Sequence, residues 1–447
     1  MKRLVSALQQ IEEFRTLAAA IDSAACPVAV TGISPVHCAH IGAGLRQVLG
    51  RSLVILCAGD TEAERLARDL AALGGEPVRT LTAREFVFHN AAASSRQWEH
   101  RRLSVLRALA AGEAPVLVTT VEALLQRTMP KTLLQQASLC LRMGENYDLN
   151  ELAETLAAAG YSRCDQVEGV GQFALRGGIL DFFSPAHEKP VRAEFFGDEV
   201  DSMGFFDPAT QRRTDQLREA EILPAAEVLP QFAPGGFPGL LEAMDGLITR
   251  TERQKGDRTA LLKTLNEDRA RLEAQIPFPA LDRYLALIYP QMATAADYLP
   301  EDAVVLFSES PRVAERAKTY LWQLEEDSKA LLENGTLAGE LAVFGRSFEE
   351  LVGVLAELPV AYLDAFTGST YPQKPRTLLN LLAKQLPSYG ASLETAVSDL
   401  AHYMKENFST VVLVSGEQRA LNLQSLLREQ KLRAAVDFAL HDLPAPG

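Results

Sequence analysis

The sequence predicts an α/β protein, and three features carry that reading. Over residues 1 to about 122, short apolar runs alternate with helix-length stretches, the pattern of a parallel sheet covered on both faces. Near residue 150 the texture changes to closely spaced strand signals separated by Gly, Pro and charged turns, which predicts a small α+β module with an antiparallel sheet. From residue 214 helix and strand alternate again. The expected division is 1–124 and 214–370 as two parts of one parallel-sheet domain, 125–213 as the module that interrupts it, and 371–447 as a small α/β domain.

Element by element, Met1–Ile21 mixes Lys2, Arg3, Glu12, Glu13 and Arg15 with apolar residues at helical spacing, which predicts an amphipathic helix and not a secretion signal. Strands are expected at Pro27–Gly32, Ser52–Cys57 and Pro115–Thr119, with helices at Pro35–Leu49, Thr61–Leu73 and Gln97–Ala110 between them. In the module a helix, Leu149–Ala159, precedes strands Gln172–Leu175, Gly178–Phe183, Val191–Phe196 and Glu199–Phe205. Ile222–Val228 leads out past Pro224 and Pro230. Arg250–Gln275 reads as a charged helical run and Val304–Phe307 as a buried strand. Thr367–Pro375 carries the Pro and Gly of a linker. Helix Ser392–Asn407, strand Thr410–Ser415 and helix Gln418–Gln430 make up the last unit.

Composition narrows the function. A net charge of −14 argues against a chain-wide nucleic-acid surface and leaves room for a local basic patch. The five Cys (Cys26, Cys38, Cys57, Cys140, Cys164) include no CxxC pair, which fits buried thiols in a reducing compartment, and the expected location is the cytoplasm. No apolar run is long enough to cross a bilayer, so no membrane partner is expected. His37 and His40 lie three apart on an expected helix, but no further ligands accompany them and a structural role is the expectation; no metal site is read. Asp181, Asp198, Glu199 and Asp201 sit at turns and strand ends and make no acid/base dyad, and no nucleophile motif is present, so no catalytic residue is assigned.

The most informative segment is Val30-Thr31-Gly32-Ile33-Ser34-Pro35-Val36-His37. It joins a strand to a helix through a Gly turn, the setting of a phosphate-binding loop. Such a loop needs Gly-Lys-[Ser/Thr], with the Lys on the β/γ oxygens and the hydroxyl on Mg²⁺. Here no Lys follows Gly32, and Pro35 and His37 fill the space. The strand Ala303–Phe307 ends in Ser308-Glu309, where helicase-type ATPases carry Asp-Glu with the Asp toward Mg²⁺. Thr31, Gly32, Ser34, Ser308 and Glu309 therefore outline a degenerate nucleotide site, and the parallel-sheet domain reads as helicase-like without ATP or Mg as a cofactor.

These residues also carry a resemblance. The segment Asp297–Ser310 is similar to the second ATPase motif of UvrB, the bacterial excision-repair helicase-like protein, and Gly160–Pro185 with Val191–Met203 resembles the UvrB domain that docks UvrA. The closest resemblance is to the N-terminal part of bacterial transcription–repair coupling factors, which carry a degenerate UvrB-like module; it covers roughly residues 20–365 and is strongest over 155–213. It implies an adaptor that binds UvrA, with RNA polymerase and DNA engaged elsewhere in a longer parent that would be an ATP-dependent DNA translocase, and with the UvrA face masked there until the motor engages. The alternative it leaves is a UvrB-like ATP-dependent DNA-damage protein. Arg84 to His100 is short and lacks the tyrosines of UvrB's DNA-clamping hairpin, a departure from that alternative.

Candidate binding residues follow from strand periodicity. In Val191–Phe196, Val191, Ala193 and Phe195 share one face and Arg192, Glu194 and Phe196 the other, the composition of an interface hot spot. The neighbouring strand adds Arg176, Asp181 and Phe183, and Arg163 lies just before that sheet. A solvated, salt-bridged sheet surface is the plainer reading of the same pattern. The resemblance implies that Arg163, Arg176 and Arg192 face UvrA, and it places Ala174 where a fourth arginine stands in UvrB. Arg96, Arg101, Arg102 and Arg107, near Trp98, form a basic cluster: either a DNA-backbone contact or a face packed against the next domain.

Overall fold

Runs rich in Val, Leu and Ile, bounded by polar turns, become short strands buried on both faces. The computed structural model describes residues 2–89, 96–276, 279–368, 370–381, 393–406, 408, 410–414 and 416–438. Its strands are β1 (Val28–Thr31), β2 (Leu53–Cys57), β3 (Arg79–Leu81), β4 (Val116–Thr120), β5 (Leu139–Arg142), β6 (Ser162–Arg163), β7 (Gln172–Arg176), β8 (Ile179–Phe182), β9 (Val191–Phe196), β10 (Glu199–Phe206), β11 (Arg213–Gln216), β12 (Glu219–Ile222), β13 (Val304–Ser308), β14 (Val360–Leu363) and β15 (Thr377–Asn380).

Seven strands form one parallel sheet in the order β15-β1-β14-β13-β2-β4-β3. The period of two sorts each strand between two cores. Leu53 and Ile55 pack with Phe14 and Leu17 of the helix Glu12–Asp22, Ile41 of Pro35–Leu49 and Leu66 of Asp60–Gly74. Val54 and Leu56 pack on the opposite side with Leu106, Phe307 and Tyr362. The chain is α/β, as the alternation predicts.

The interruption is a six-stranded sheet, β11-β10-β9-β8-β7-β6, antiparallel except for β6 with β7. Beside it β5 and β12 make a two-stranded antiparallel ribbon. One sheet face packs Leu180, Phe182, Val191 and Ala193 against Leu152 and Leu156 of the helix Leu149–Ala158. Asp148 caps that helix, its carboxylate accepting from the Asn150 and Glu151 backbone N–H groups.

Several elements depart from the sequence reading. The N-terminal helix is broken at Ile11 into Lys2–Ala7, a 3₁₀ turn and Glu12–Asp22. Arg250–Gln275 is not one helix: Gly236–Glu252 ends, the chain turns through Gly256 at φ +102°, and Thr259–Glu273 folds back, with Arg269 bonded to Asp245. Thr377–Asn380, expected beyond the boundary at 370, pairs with β1 at the edge of the large sheet. Glu219–Ile222, expected beyond the module's end at 213, pairs with β5. Thr410–Val414 forms no strand among the described residues; its β-branched side chains are exposed, and β propensity without a neighbouring strand holds no ladder. Ser415, the last residue of that expected strand, lies outside the described residues. Among the described residues no helix is long and apolar enough to cross a membrane.

Candidate docking face and altered nucleotide cradle

The alternation that turns Leu180 and Phe182 into the module core turns Asp181 to the opposite sheet face, directly across from Arg192 on β9 and Ala174 on β7. Asp181 is only 1 % exposed. The Arg192 guanidinium closes over it with two bonds, Nε to Oδ1 at 2.7 Å and Nη2 to Oδ2 at 2.8 Å. Arg176 Nη2 donates to the same Oδ2 at 3.0 Å. Arg192 also donates to the Gln211 backbone carbonyl at 3.2 Å and to Gln211 Oε1 at 3.0 Å, and lies 4.6 Å from the Phe206 ring centroid. The buried charge is thus doubly paired, the condition under which a carboxylate is tolerated in an interior.

Around this buried pair stand side chains with capacity to spare. The Arg176 side chain is half exposed. Arg163 is exposed and makes no ion pair among the described residues, but it is in register with Phe173 of the core face, so the sheet does not bring it to the Asp181 side. Glu194 accepts from Ser202 Oγ at 2.9 Å and pairs with Arg213 at 3.1 Å, yet stays open to solvent. Phe196, beside the Gly197 turn, is 84 % exposed. Phe183 instead packs into a small cluster with Val167, Ala174, Phe206 and Cys164. Asp181 is therefore beneath the surface, Phe183 is partly covered, and Arg192 is mostly covered. Gln211 and Phe206, which sequence reasoning missed, complete the arrangement.

The basic cluster does not form a patch, because its members are tied to different partners. Arg102 is buried and donates to Glu227 at 3.2 Å and to the Thr82 carbonyl at 2.8 Å. Arg107 is bound to Glu221 and Glu113, and Arg96 lies 3.8 Å from Glu99. Arg101 is exposed and makes no ion pair among the described residues. Glu227, fully buried, also faces Arg84 at 3.8 Å; Arg84 in turn bonds Asp282 at 2.7 Å. This network pins the chain leaving the module to the parallel-sheet domain. The signal for it was present: Arg102, Leu106 and Leu109 share one helical stripe, and that stripe is buried.

In the turn after β1, where a phosphate-binding loop is expected, the N–H groups of Gly32, Ile33 and Ser34 are already used. Gly32 N–H donates to the Ala365 carbonyl at 3.2 Å and Ile33 N–H to the Asp364 carbonyl at 3.4 Å. Ser34 N–H donates to His37 Nδ1 at 2.9 Å, a capping box that opens the helix Pro35–Leu49. A Cβ on Gly32, at φ +85°, would stand 2.6 Å from the Leu381 carbonyl oxygen, because β15 runs alongside. At the end of β13, Ser308 Oγ donates to Glu62 at 2.7 Å, and Glu309 sits in the left-handed region at φ +57°. Asp364, at the end of β14, accepts from Ser310 N–H at 2.6 Å and Ser310 Oγ at 2.9 Å, and so holds the start of helix Ser310–Glu333. Burial raises the carboxyl pKa of both Glu309 and Asp364. His40 Nε2 bonds the Leu4 carbonyl at 3.0 Å, so each of the two histidines serves local structure.

Known proteins supply the context for these two regions. Residues 139–228 match the UvrB interaction domain. That span runs from β5 to just beyond β12 and holds the whole six-stranded sheet with its buried Asp181 pair. Over a wider range the chain is similar to transcription-repair-coupling factors. It is 27% identical over 379 residues to that of Bacillus subtilis (strain 168), covering 84% of this chain and 32% of the relative. To that of Staphylococcus haemolyticus (strain JCSC1435) it is 27% identical over 419 residues, 91% of this chain and 34% of the relative. The chain spans about a third of the length of the curated relatives it matches.

Proposed function

We propose that this chain is a docking module for transcription-repair coupling, whose UvrB interaction domain binds UvrA and whose parallel-sheet domain is a scaffold that does not hydrolyse ATP. The observation that carries the reading is the set Arg176, Glu194 and Phe196, exposed or half-exposed on the face of the buried Asp181–Arg192 pair, on a sheet that matches that domain. Guanidinium and aromatic groups ringing a buried, hydrogen-bonded charge pair have the composition of a binding hot spot. The reading of the scaffold as non-catalytic rests on the internal acceptors of the Gly32 turn and on Ser308, which offers a hydroxyl where a metal-binding carboxylate is needed. Engagement of RNA polymerase and DNA, with ATP-driven translocation, is assigned to the longer protein of which such a module is part. The cytoplasm is the compartment this role requires.

Titration with purified UvrA tests the proposal. The unaltered chain should bind. Arg176→Glu should weaken binding by about 2–5 kcal/mol while the melting temperature holds, because Arg192 still neutralises Asp181. Equal affinities for the two chains would remove this face from the function. ATP turnover by the purified chain would overturn the scaffold reading.

A further inference from the structure

The loop between β10 and β11 contains a backbone outlier at the docking face. Asp207 N–H donates to the Arg212 carbonyl at 2.9 Å and Gln211 N–H to the Asp207 carbonyl at 2.7 Å. The Asp207 carboxylate accepts from the Ala209 and Thr210 backbone N–H groups at 3.1 and 2.7 Å, which organises the turn. The chain re-enters β11 through Gln211 at φ +60°, a left-handed conformation that hairpin loops ordinarily give to Gly or Asn. A non-Gly residue held there costs folding energy and persists where its surroundings over-determine it.

What Gln211 gains is geometric. The left-handed backbone brings both its carbonyl oxygen and its Oε1 to the outer side of the Arg192 guanidinium, at 3.2 and 3.0 Å. Its Nε2 donates to the Pro208 carbonyl at 2.8 Å, which fixes the direction in which Oε1 points. With Asp181 on the inner side and the Phe206 ring against it, Arg192 is gripped from three directions. The Asp181 Oδ2 that Arg192 orients is the same atom that receives the half-exposed Arg176.

We infer that Gln211 is a positioning residue for the docking face: it clamps Arg192 on Asp181 and thereby sets the Arg176 guanidinium that the partner meets. The inference rests on the UvrA-binding reading for its functional part, but the clamp itself is a property of this chain. It divides the charged residues into two tiers. Asp181 and Arg192 form a platform, and Arg176, with Phe196 alongside, makes contact.

Gln211→Gly separates this role from plain structure, because the two effects have opposite signs. Glycine relieves the left-handed strain, so the melting temperature should hold or rise. Loss of the side-chain acceptor should weaken UvrA binding by roughly tenfold or more, the scale of a charge-assisted hydrogen bond. Gln211→Glu keeps an acceptor facing Arg192 but gives up the Nε2–H donated to Pro208, so it should recover part of the lost affinity and bind more tightly than Gln211→Gly. A second readout needs no partner: the Arg192 Nε–H resonance should exchange slowly with solvent in the unaltered chain and in Gln211→Glu, and rapidly in Gln211→Gly. If the unaltered chain fails to bind UvrA while the resonance behaves as described, the clamp stands and the partner assignment falls. If Gln211→Gly leaves Arg192 exchange and UvrA affinity unchanged, or lowers stability and affinity together, the inference is overturned.

Discussion

The candidate docking face and the candidate nucleotide cradle are both clusters of polar groups at strand ends and edges, and they are finished in opposite ways. At the cradle each bond closes inward: Gly32, Ile33 and Ser34 give their N–H groups to the chain's own acceptors, Ser308 reaches Glu62, and Ser310 reaches Asp364. At the docking face only the centre closes, with Asp181 satisfied by two arginines, while Arg176, Glu194 and Phe196 remain open to solvent around it. Satisfied buried polar groups stabilise a fold and specify it; exposed groups on a rigid platform are what a partner can use. The contrast teaches that side chains of the cradle should act on stability and those of the docking face on affinity.

The junction between the module and the parallel-sheet domain supplies the largest expected effect. His100, on the helix Gln97–Ala110, is buried against Gly171 of the module and bonds the Ala225 carbonyl at 3.1 Å. A carbonyl only accepts, so Nε2 carries the proton and the neutral ring suffices. Burial, reinforced by the Arg96 charge, pulls the pKa from 6.5 down to about 4. The unfolded chain therefore takes up this proton first as pH falls. The stability contributed by the neutral ring is complete above the unfolded pKa of 6.5 and is lost progressively toward pH 4, up to about 3 kcal/mol in all. Denaturant titrations across that window should show a steeper loss for the unaltered chain than for His100→Gln, whose amide still donates to Ala225. Matching pH profiles would mean that His100 is solvated.

Within the cradle, Asp364→Ala should cost about 2 kcal/mol, because it leaves the buried Ser310 N–H and hydroxyl without their acceptor. UvrA affinity should not change. A loss of affinity as large as the loss of stability would erase the distinction between the two regions.

How much of this was legible depended on whether the cause was local. The runs Leu53–Cys57 and Val304–Ser308 announced themselves because a central parallel strand is apolar on both faces. Thr377–Asn380 did not, because an edge strand is half exposed and its pairing is dictated by β1, far away in sequence. The missing lysine after Gly32 could be read directly. The inward bonds that use the cradle's donors could not, since Asp364 and Ala365 arrive from β14. The same holds at the docking face. Period two placed Arg192, Glu194 and Phe196 on one side, but the burial of Asp181 is produced by the guanidinium above it and by Gln211 from a later loop. Arg102 is the case where the pattern was available and the charge outweighed it: the residue lies on an apolar helical stripe and ends inside.

The smallest expected change in stability is also the most direct probe of the contrast. Phe196 closes β9 with its ring almost entirely in water, while Phe195, one residue earlier, packs against the module core. A ring that buries nothing contributes little to folding, so Phe196→Ala should alter stability by no more than about 0.5 kcal/mol. An aromatic anchor beside a set of arginines is instead the type of residue whose truncation costs an interface about 2 kcal/mol. Phe195→Ala should behave in the reverse manner, losing stability through the vacated core position. Thermal melts paired with UvrA titrations of the two variants place adjacent phenylalanines on opposite axes. A stability loss at Phe196 would mean that a second copy of the chain already covers the face in solution.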